Sequence, residues 1–320
     1  MSNPFYERRE ISMKNLILDV DTGIDDAFAL LFAARHPEIN LLGVTCVDGN
    51  TSLPKVIKNT MKVLDAAGAG NIPVAAGANR PLIEEPRYAE WVHGADGLGD
   101  LGIPDSNRQL DPRPAIILLR DLIEASNEPV TLIPLAPLTN IALFLRAFPE
   151  TAKKIERIVL MGGSASGGNA SATAEFNIWH DPEAAAIVFN SGVQITMYGL
   201  DVFMLPIVTQ SHADSLMAKS EYCSQFAGKL IGNFIKQIGR EVTLGDYGAV
   251  LTALKPELSR TESLPVVVDT TFGPNRGQTV VDRRRSLERE EARIPSPRTD
   301  VVLDIQTDMY RDIWMETIQG

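Results

Sequence analysis

Six short apolar runs, separated by segments of helical periodicity or by turn-forming residues, limit what this chain can fold into. The runs cover residues 16–18, 41–47, 73–76, 130–134, 158–161 and 195–198, with helical patterns such as 25–35 and 52–67 between them. Strands that alternate with helices give the βαβ rhythm. That rhythm predicts an α/β fold, an open, mainly parallel, Rossmann-like sheet with helices on both faces. Beyond Met204, helical patterns dominate through Leu254 and add a helical C-terminal region; residues 271–297 are polar, basic and strand-poor until Asp300-Val-Val-Leu-Asp304. No repeat, low-complexity tract or composition shift marks a boundary, so residues 1–320 are expected to form a single domain. Ligands of such sheets bind outside the carboxyl ends of strands. Asp19 and Asp21, Asp48 and Asn50, and Thr139 and Asn140 all follow predicted strands and are expected to converge there.

The densest signal lies where the first strand meets the first helix. Asp19-Val-Asp-Thr-Gly-Ile-Asp-Asp-Ala27 sets four carboxylates within eight residues, and neither Lys nor Arg occurs from Leu16 to Ala34. Burying an unpaired charge is costly, so a bound cation is the direct remedy. Ligands that are all oxygen select a hard ion, Ca2+ or Mg2+, over zinc. The plainer reading has Asp25 and Asp26 favouring the positive end of the following helix, which accounts for two of the four.

A net charge of −11 repels nucleic-acid phosphates and anionic membrane surfaces, so neither is expected as a partner. A small neutral or cationic substrate fits better. Two cysteines, Cys46 and Cys223, make no disulfide framework and suggest a reducing compartment. Residues 1–14 are polar and charged, unlike a signal peptide, and no run approaches the roughly 18 apolar residues that span a bilayer. The expected location is cytoplasmic. Residues 80–114, rich in Gly, Pro and charge around His93-Gly-Ala-Asp-Gly-Leu-Gly99, read as a long functional loop.

Residues 19–27 resemble the amino-terminal signature of the inosine-uridine preferring nucleoside hydrolases, in which Pro is commoner at the place of Thr22. Val47-Asp-Gly-Asn50, His93-Gly94 with Gly97-Leu98-Gly99, Ala136-Pro-Leu-Thr-Asn140, Met161-Gly-Gly163, Gly168-Asn169 and Ala174-Glu-Phe-Asn177 then follow in the family's order. Such an ordered combination is more specific than any single motif. The resemblance implies that Asp21 and Asp26 bind Ca2+ together with the backbone carbonyl of Thr139 and the carboxylate of Asp246, and that Asp21 is also the general base. It implies that Asp25 and Asn50 hold the 2′-hydroxyl side of a ribose. Asn169, Glu175 and Asn177 would bind its 3′- and 5′-hydroxyls, and Met161 and Phe176 would line the sugar. The implied substrate is a nucleoside or related riboside, in purine or pyrimidine salvage, and the implied assembly is a homodimer or homotetramer.

The residue types suit that chemistry. Breaking an N-ribosyl bond develops oxocarbenium charge that nearby carboxylates stabilise. Calcium can chelate a diol and acidify a water, whose proton a carboxylate accepts. Polar groups placed for ribose hydroxyls reject a deoxy analogue, so ribonucleosides are expected to be preferred.

The chain departs from the family pattern at one place. Many members carry His, a candidate acid for the departing base, just before the carboxylate corresponding to Asp246; here Gly245 stands there. His93 is the best remaining titratable candidate, as proton donor or as a hydrogen bond to the base. Tyr247 and residues 236–241 could also reach the base. Trp91 and Trp179 are stacking or packing aromatics, His36 is expected in solvent, His180 in packing or capping, and Asp181 as a cap before Pro182. Asp246 could itself cap the helical run that follows. Two other functions compete: a nucleoside-binding protein without turnover, and a haloacid dehalogenase-type phosphotransferase suggested by Asp19-Val-Asp21-Thr22.

Overall fold

The apolar runs become strands because both of their faces are covered. In the computed structural model, which describes residues 13–284 and 297–320, the strands are β1 (Lys14–Val20), β2 (Ile39–Cys46), β3 (Val74–Ala76), β4 (Val130–Pro134), β5 (Ile155–Met161), β6 (Ile195–Tyr198), β7 (Ile207–Val208), β8 (Val242–Thr243), β9 (Ser259–Val268), β10 (Thr279–Val281) and β11 (Arg298–Ile305). The helices are α1 (Ile24–Arg35), α2 (Leu53–Ala66), α3 (Glu90–His93), α4 (Ala115–Ala125), α5 (Thr139–Ala147), α6 (Pro149–Ala152), α7 (Phe176–His180), α8 (Pro182–Phe189), α9 (Leu200–Phe203), α10 (Gln210–Met217), α11 (Tyr222–Ile238), α12 (Tyr247–Leu254) and α13 (Thr307–Gln319).

Side chains alternate across β1. Leu16, Leu18 and Val20 enter one core with Phe28 and Phe32 of α1, Tyr247 of α12 and Trp314 of α13. Ile17 enters the other with Leu119 of α4, Phe144 of α5 and Val188 of α8. The sheet order is β10-β9-β11-β6-β5-β4-β1-β2-β3. β1 pairs in parallel with both β2 and β4, and the parallel set continues to β3 on one side and through β5 and β6 to β11 on the other. The strand order therefore reverses at β1 and β4, where loops leaving the two carboxyl ends diverge and open a crevice.

The predicted parallel sheet is present, with one addition at its far edge. β9 pairs antiparallel with β11 and β10, a strand absent from the sequence expectation. β10 also interrupts the stretch expected to be strand-poor; residues 285–296 of that stretch lie outside the described residues. Residues 80–114 are irregular apart from α3 and a bridge between Ala75 and Asp111. Among the described residues, no helix is long and apolar enough to cross a membrane.

Candidate active site

The turn from β1 into α1 folds acids onto backbone donors. Gly23 N–H donates to Asp26 Oδ2 at 2.9 Å, and Asp21 N–H to Asp26 Oδ1 at 3.3 Å. Asp21 Oδ2 accepts from the Asn50 amide at 2.6 Å. Its Oδ1 is buried with no hydrogen-bond partner among the described residues. Close approach requires glycine at position 49, where a Cβ would stand 2.0 Å from Asp21 Oδ2. Carboxylate oxygens of Asp25, Asp26 and Asp246 lie within 4.8 Å of one another. Asp246 directly precedes α12, yet its carboxylate makes no capping bond, so the capping reading fails.

Burial, reinforced by the neighbouring acids, lifts Asp21 and Asp246 well above the ordinary carboxylate range and Asp26 to about 8. No Lys or Arg pairs with this group among the described residues. An orphaned buried oxygen, an all-oxygen donor set and missing counter-charge fit a hard cation. Thr139, at the start of α5, commits its hydroxyl to Asp181 Oδ2 at 2.7 Å, so any contribution to a cation comes from its backbone carbonyl.

Asp19, the remaining acid of the cluster, has a different role. Its Oδ1 accepts from Thr45 Oγ1 at 2.5 Å and Asn140 Nδ2 at 2.7 Å, and Asn140 also donates to Cys46 O. This ties β1 and β2 to α5. Burial pushes the Asp19 carboxyl up to about 7.

The residues expected around a sugar come from the loops after β2 and β5. Glu175 caps α7, accepting from the amides of Gly163 (2.9 Å), Asn177 (2.9 Å) and Ile178 (3.2 Å), while burial raises it to about 7. Asn177 Nδ2 donates to Leu135 O and Met161 O, just past β4 and at the end of β5. Asn169 Oδ1 accepts from Phe176 N at 2.9 Å, and Asn50 Nδ2 donates to Asp26 Oδ2 at 3.3 Å. His93 Nδ1 accepts from Ile24 N at 3.2 Å and lies 3.9 Å from Asp25 Oδ1; burial lowers its pKa. Its neutral form therefore carries the proton on Nε2. Asp25, Asn50, His93, Met161, Asn169, Glu175, Phe176, Asn177 and Asp246 all line one cavity of about 270 Å³. Asp21, Asp26 and Thr139 are buried and do not line it.

The other end of the cavity carries residues that no local motif marked. Phe203 and Met204 at the end of α9, Phe234 and Ile238 of α11, and Thr243 of β8 line it together with Trp91, 79% exposed. Residues 236–241 were expected near a base, and Ile238, Arg240 and Glu241 line the cavity. Tyr247 does not: it is buried in the core, its hydroxyl donating to Tyr310 O at 2.8 Å and its ring edge-on to Phe32. Gly245 adopts φ +52°, and a Cβ there would stand 2.7 Å from the Phe203 ring. Trp179 packs under the Arg87 guanidinium at 4.2 Å. His36 is half-buried on Phe32 rather than solvated, Asp181 caps α8 through Ala184 N, and His180 packs beneath Phe176 with Nε2 3.4 Å from Asp48 Oδ2.

A carboxylate-rich pocket at the switch point of a mainly parallel sheet is where an α/β enzyme of this topology binds a small ligand. The chain belongs to the inosine-uridine preferring nucleoside hydrolase family, whose model matches residues 16–312. The pyrimidine-specific ribonucleoside hydrolase RihA of Shewanella baltica is 41% identical over 277 residues, 84% of this chain and 87% of that one. The inosine-uridine preferring nucleoside hydrolase of Leishmania major is 40% identical over 278 residues, 85% and 88% of the two chains. The solved purine-preferring ribonucleoside hydrolase from Gardnerella vaginalis aligns with a TM-score of 0.87 at 31% identity, covering 96% of this chain and 98% of that one. The protein is thus an enzyme of N-ribosyl bond hydrolysis, and the phosphotransferase reading of Asp19-Val-Asp21-Thr22 gives way.

Proposed function

We propose that this enzyme converts ribonucleosides and water to ribose and free base with Ca2+ as its resident ion. Asp21, Asp26, Asp246 and the Thr139 carbonyl would hold the ion, with Asp25 at its edge. The observation that carries this reading is the buried, unpartnered Asp21 Oδ1 beside acids that no Lys or Arg offsets among the described residues. A bound Ca2+ supplies charge neutralisation, orientation of the ribose diol and acidification of a water.

The chain's own groups do the rest. Asp25 and Asn50 bind the 2′-hydroxyl side. Asn169, whose Oδ1 is held by Phe176 N, offers its amide hydrogens to the 3′ and 5′ side with Glu175 and Asn177. Glu175 and the cavity acids also stabilise the positive charge that develops on the sugar. Asp21 accepts the proton of the attacking water. Met161 and Phe176 shape the sugar subsite, and His93 contributes a hydrogen bond from Nε2. Its Nδ1 is committed to Ile24 N, and charging the ring would work against its burial.

The test is release of reducing sugar from a panel of ribonucleosides, deoxyribonucleosides and nitrophenyl riboside, with calcium and then with chelator. Calcium-dependent release favouring ribosides is expected. Undiminished release in chelator would remove the ion from the mechanism, and silence on every riboside would favour a binding protein without turnover.

A further inference from the structure

We propose that Arg240 is the group that stabilises the departing base, and that it selects bases bearing an exocyclic carbonyl oxygen; this rests on the hydrolase reading above. When the N-ribosyl bond breaks, its electron pair passes to the base nitrogen. The water oxygen bonds to the sugar carbon, and the water's proton goes to Asp21. A base that leaves before it is protonated carries a negative charge. The cavity acids Asp25, Glu175, Glu241 and Asp246 oppose such an anion.

The position next to Asp246 cannot supply the missing proton. Gly245 has no side chain, its φ of +52° disfavours any other residue, and the Phe203 ring fills the space a Cβ would need. Arg240 is the only permanently cationic side chain among the described residues lining the cavity. It enters no ion pair and no side-chain hydrogen bond among the described residues, whereas Arg276, Arg113 and Arg284 are all paired.

The fold fixes where Arg240 sits. α11 ends in the left-handed Gly239, φ +67°, whose N–H bonds to Ile235 O at 2.9 Å. β8 begins two residues after Arg240, pairs with β7, and is tied to α9 by Thr243 Oγ1 donating to Phe203 O at 2.6 Å. Arg240 is thereby held on a short, two-sided turn beside the apolar wall of Phe203, Met204 and Phe234. A solvated surface arginine is the plain alternative. Its place in an acid-lined cavity, unpartnered, favours the catalytic role. Guanidinium N–H groups donate only, so they match the oxygens of uracil and hypoxanthine and find no carbonyl on adenine. The base takes its proton from solvent after departure.

The experiment compares calcium-loaded wild type, Arg240→Ala and Arg240→Lys on uridine, inosine, adenosine and nitrophenyl riboside. Nitrophenolate leaves readily and needs little help. Arg240→Ala should lower kcat on uridine and inosine about tenfold or more, with much smaller losses on adenosine and nitrophenyl riboside, and Lys should recover part of the loss. An equal loss on all four substrates, or a rise in KM with kcat unchanged, would overturn the proposal. Failure of the underlying hydrolase reading looks different, because wild type would then release no sugar from any riboside.

Discussion

At the end of the cavity proposed to hold ribose, Asn50, Glu175 and Asn177 are each fixed by hydrogen bonds to the protein. At the end proposed to hold the base, Trp91 and Arg240 are exposed, and the wall is built from Phe203, Met204, Phe234 and Ile238, which impose shape more than hydrogen-bond direction. The first end is preorganised for one chemical group and the second for a range of them. Losses of rate shared by every base should therefore arise at the first end, and losses that depend on the base at the second.

The largest effect expected belongs to Asp21. Asp21→Ala should lower kcat on the order of a thousandfold for every base alike; near-normal turnover would dismiss it as the base. Next comes the ion. Folded carboxyls raised toward 8, as at Asp26, hold protons that the unfolded chain releases near 3.8. Stability of the cation-free protein is therefore fullest below that lower value and is lost as pH rises through about 8. Melting temperatures in chelator should fall from pH 5 to pH 8, and the gain on adding calcium should grow over the same interval. A calcium gain that is flat with pH would break the link between the acids and the ion.

Asn50→Ala should reduce discrimination between uridine and 2′-deoxyuridine by about tenfold while leaving the order of base preference intact. A reordered base preference would blur the two ends. Gly49→Ala introduces a Cβ 2.0 Å from Asp21 Oδ2 and should cost roughly 1–3 kcal/mol of stability with a parallel loss of kcat; thermal melts and rates read both. The smallest effect is expected at the rim: Trp91→Ala should raise KM by less than about tenfold, within the energy of one aromatic contact, and leave kcat unchanged.

The contrast also explains what the sequence made legible. β1, β4 and β6 are covered on both faces and so read as short, mainly apolar runs, and the acids at the end of β1 and beyond it form a motif because turn geometry confines them to nearby positions. β9 escaped notice because Ser259–Val268 is half polar and interrupted by Pro265, its first half exposed and only its second half buried. The four-acid motif alone does not give Asp19 its separate structural role. Adjacency in sequence cannot distinguish the face of β1 that meets Thr45 and Asn140 from the turn beyond it. Phe203, Phe234 and Ile238 had no local signature. Each is an ordinary apolar helix residue, and only the docking of α9 and α11 brings them to one wall.

The packing around Gly245 also constrains how this lineage can change. A histidine placed there alone would meet the Phe203 ring and the Asp25 Cβ, at 2.7 and 3.0 Å, in an unfavourable backbone conformation. Shrinking Phe203 alone would open a hole in the base wall and still provide no acid. Each step is unfavourable without the other, so the two substitutions are coupled and a side chain at position 245 needs a simultaneous change at Phe203.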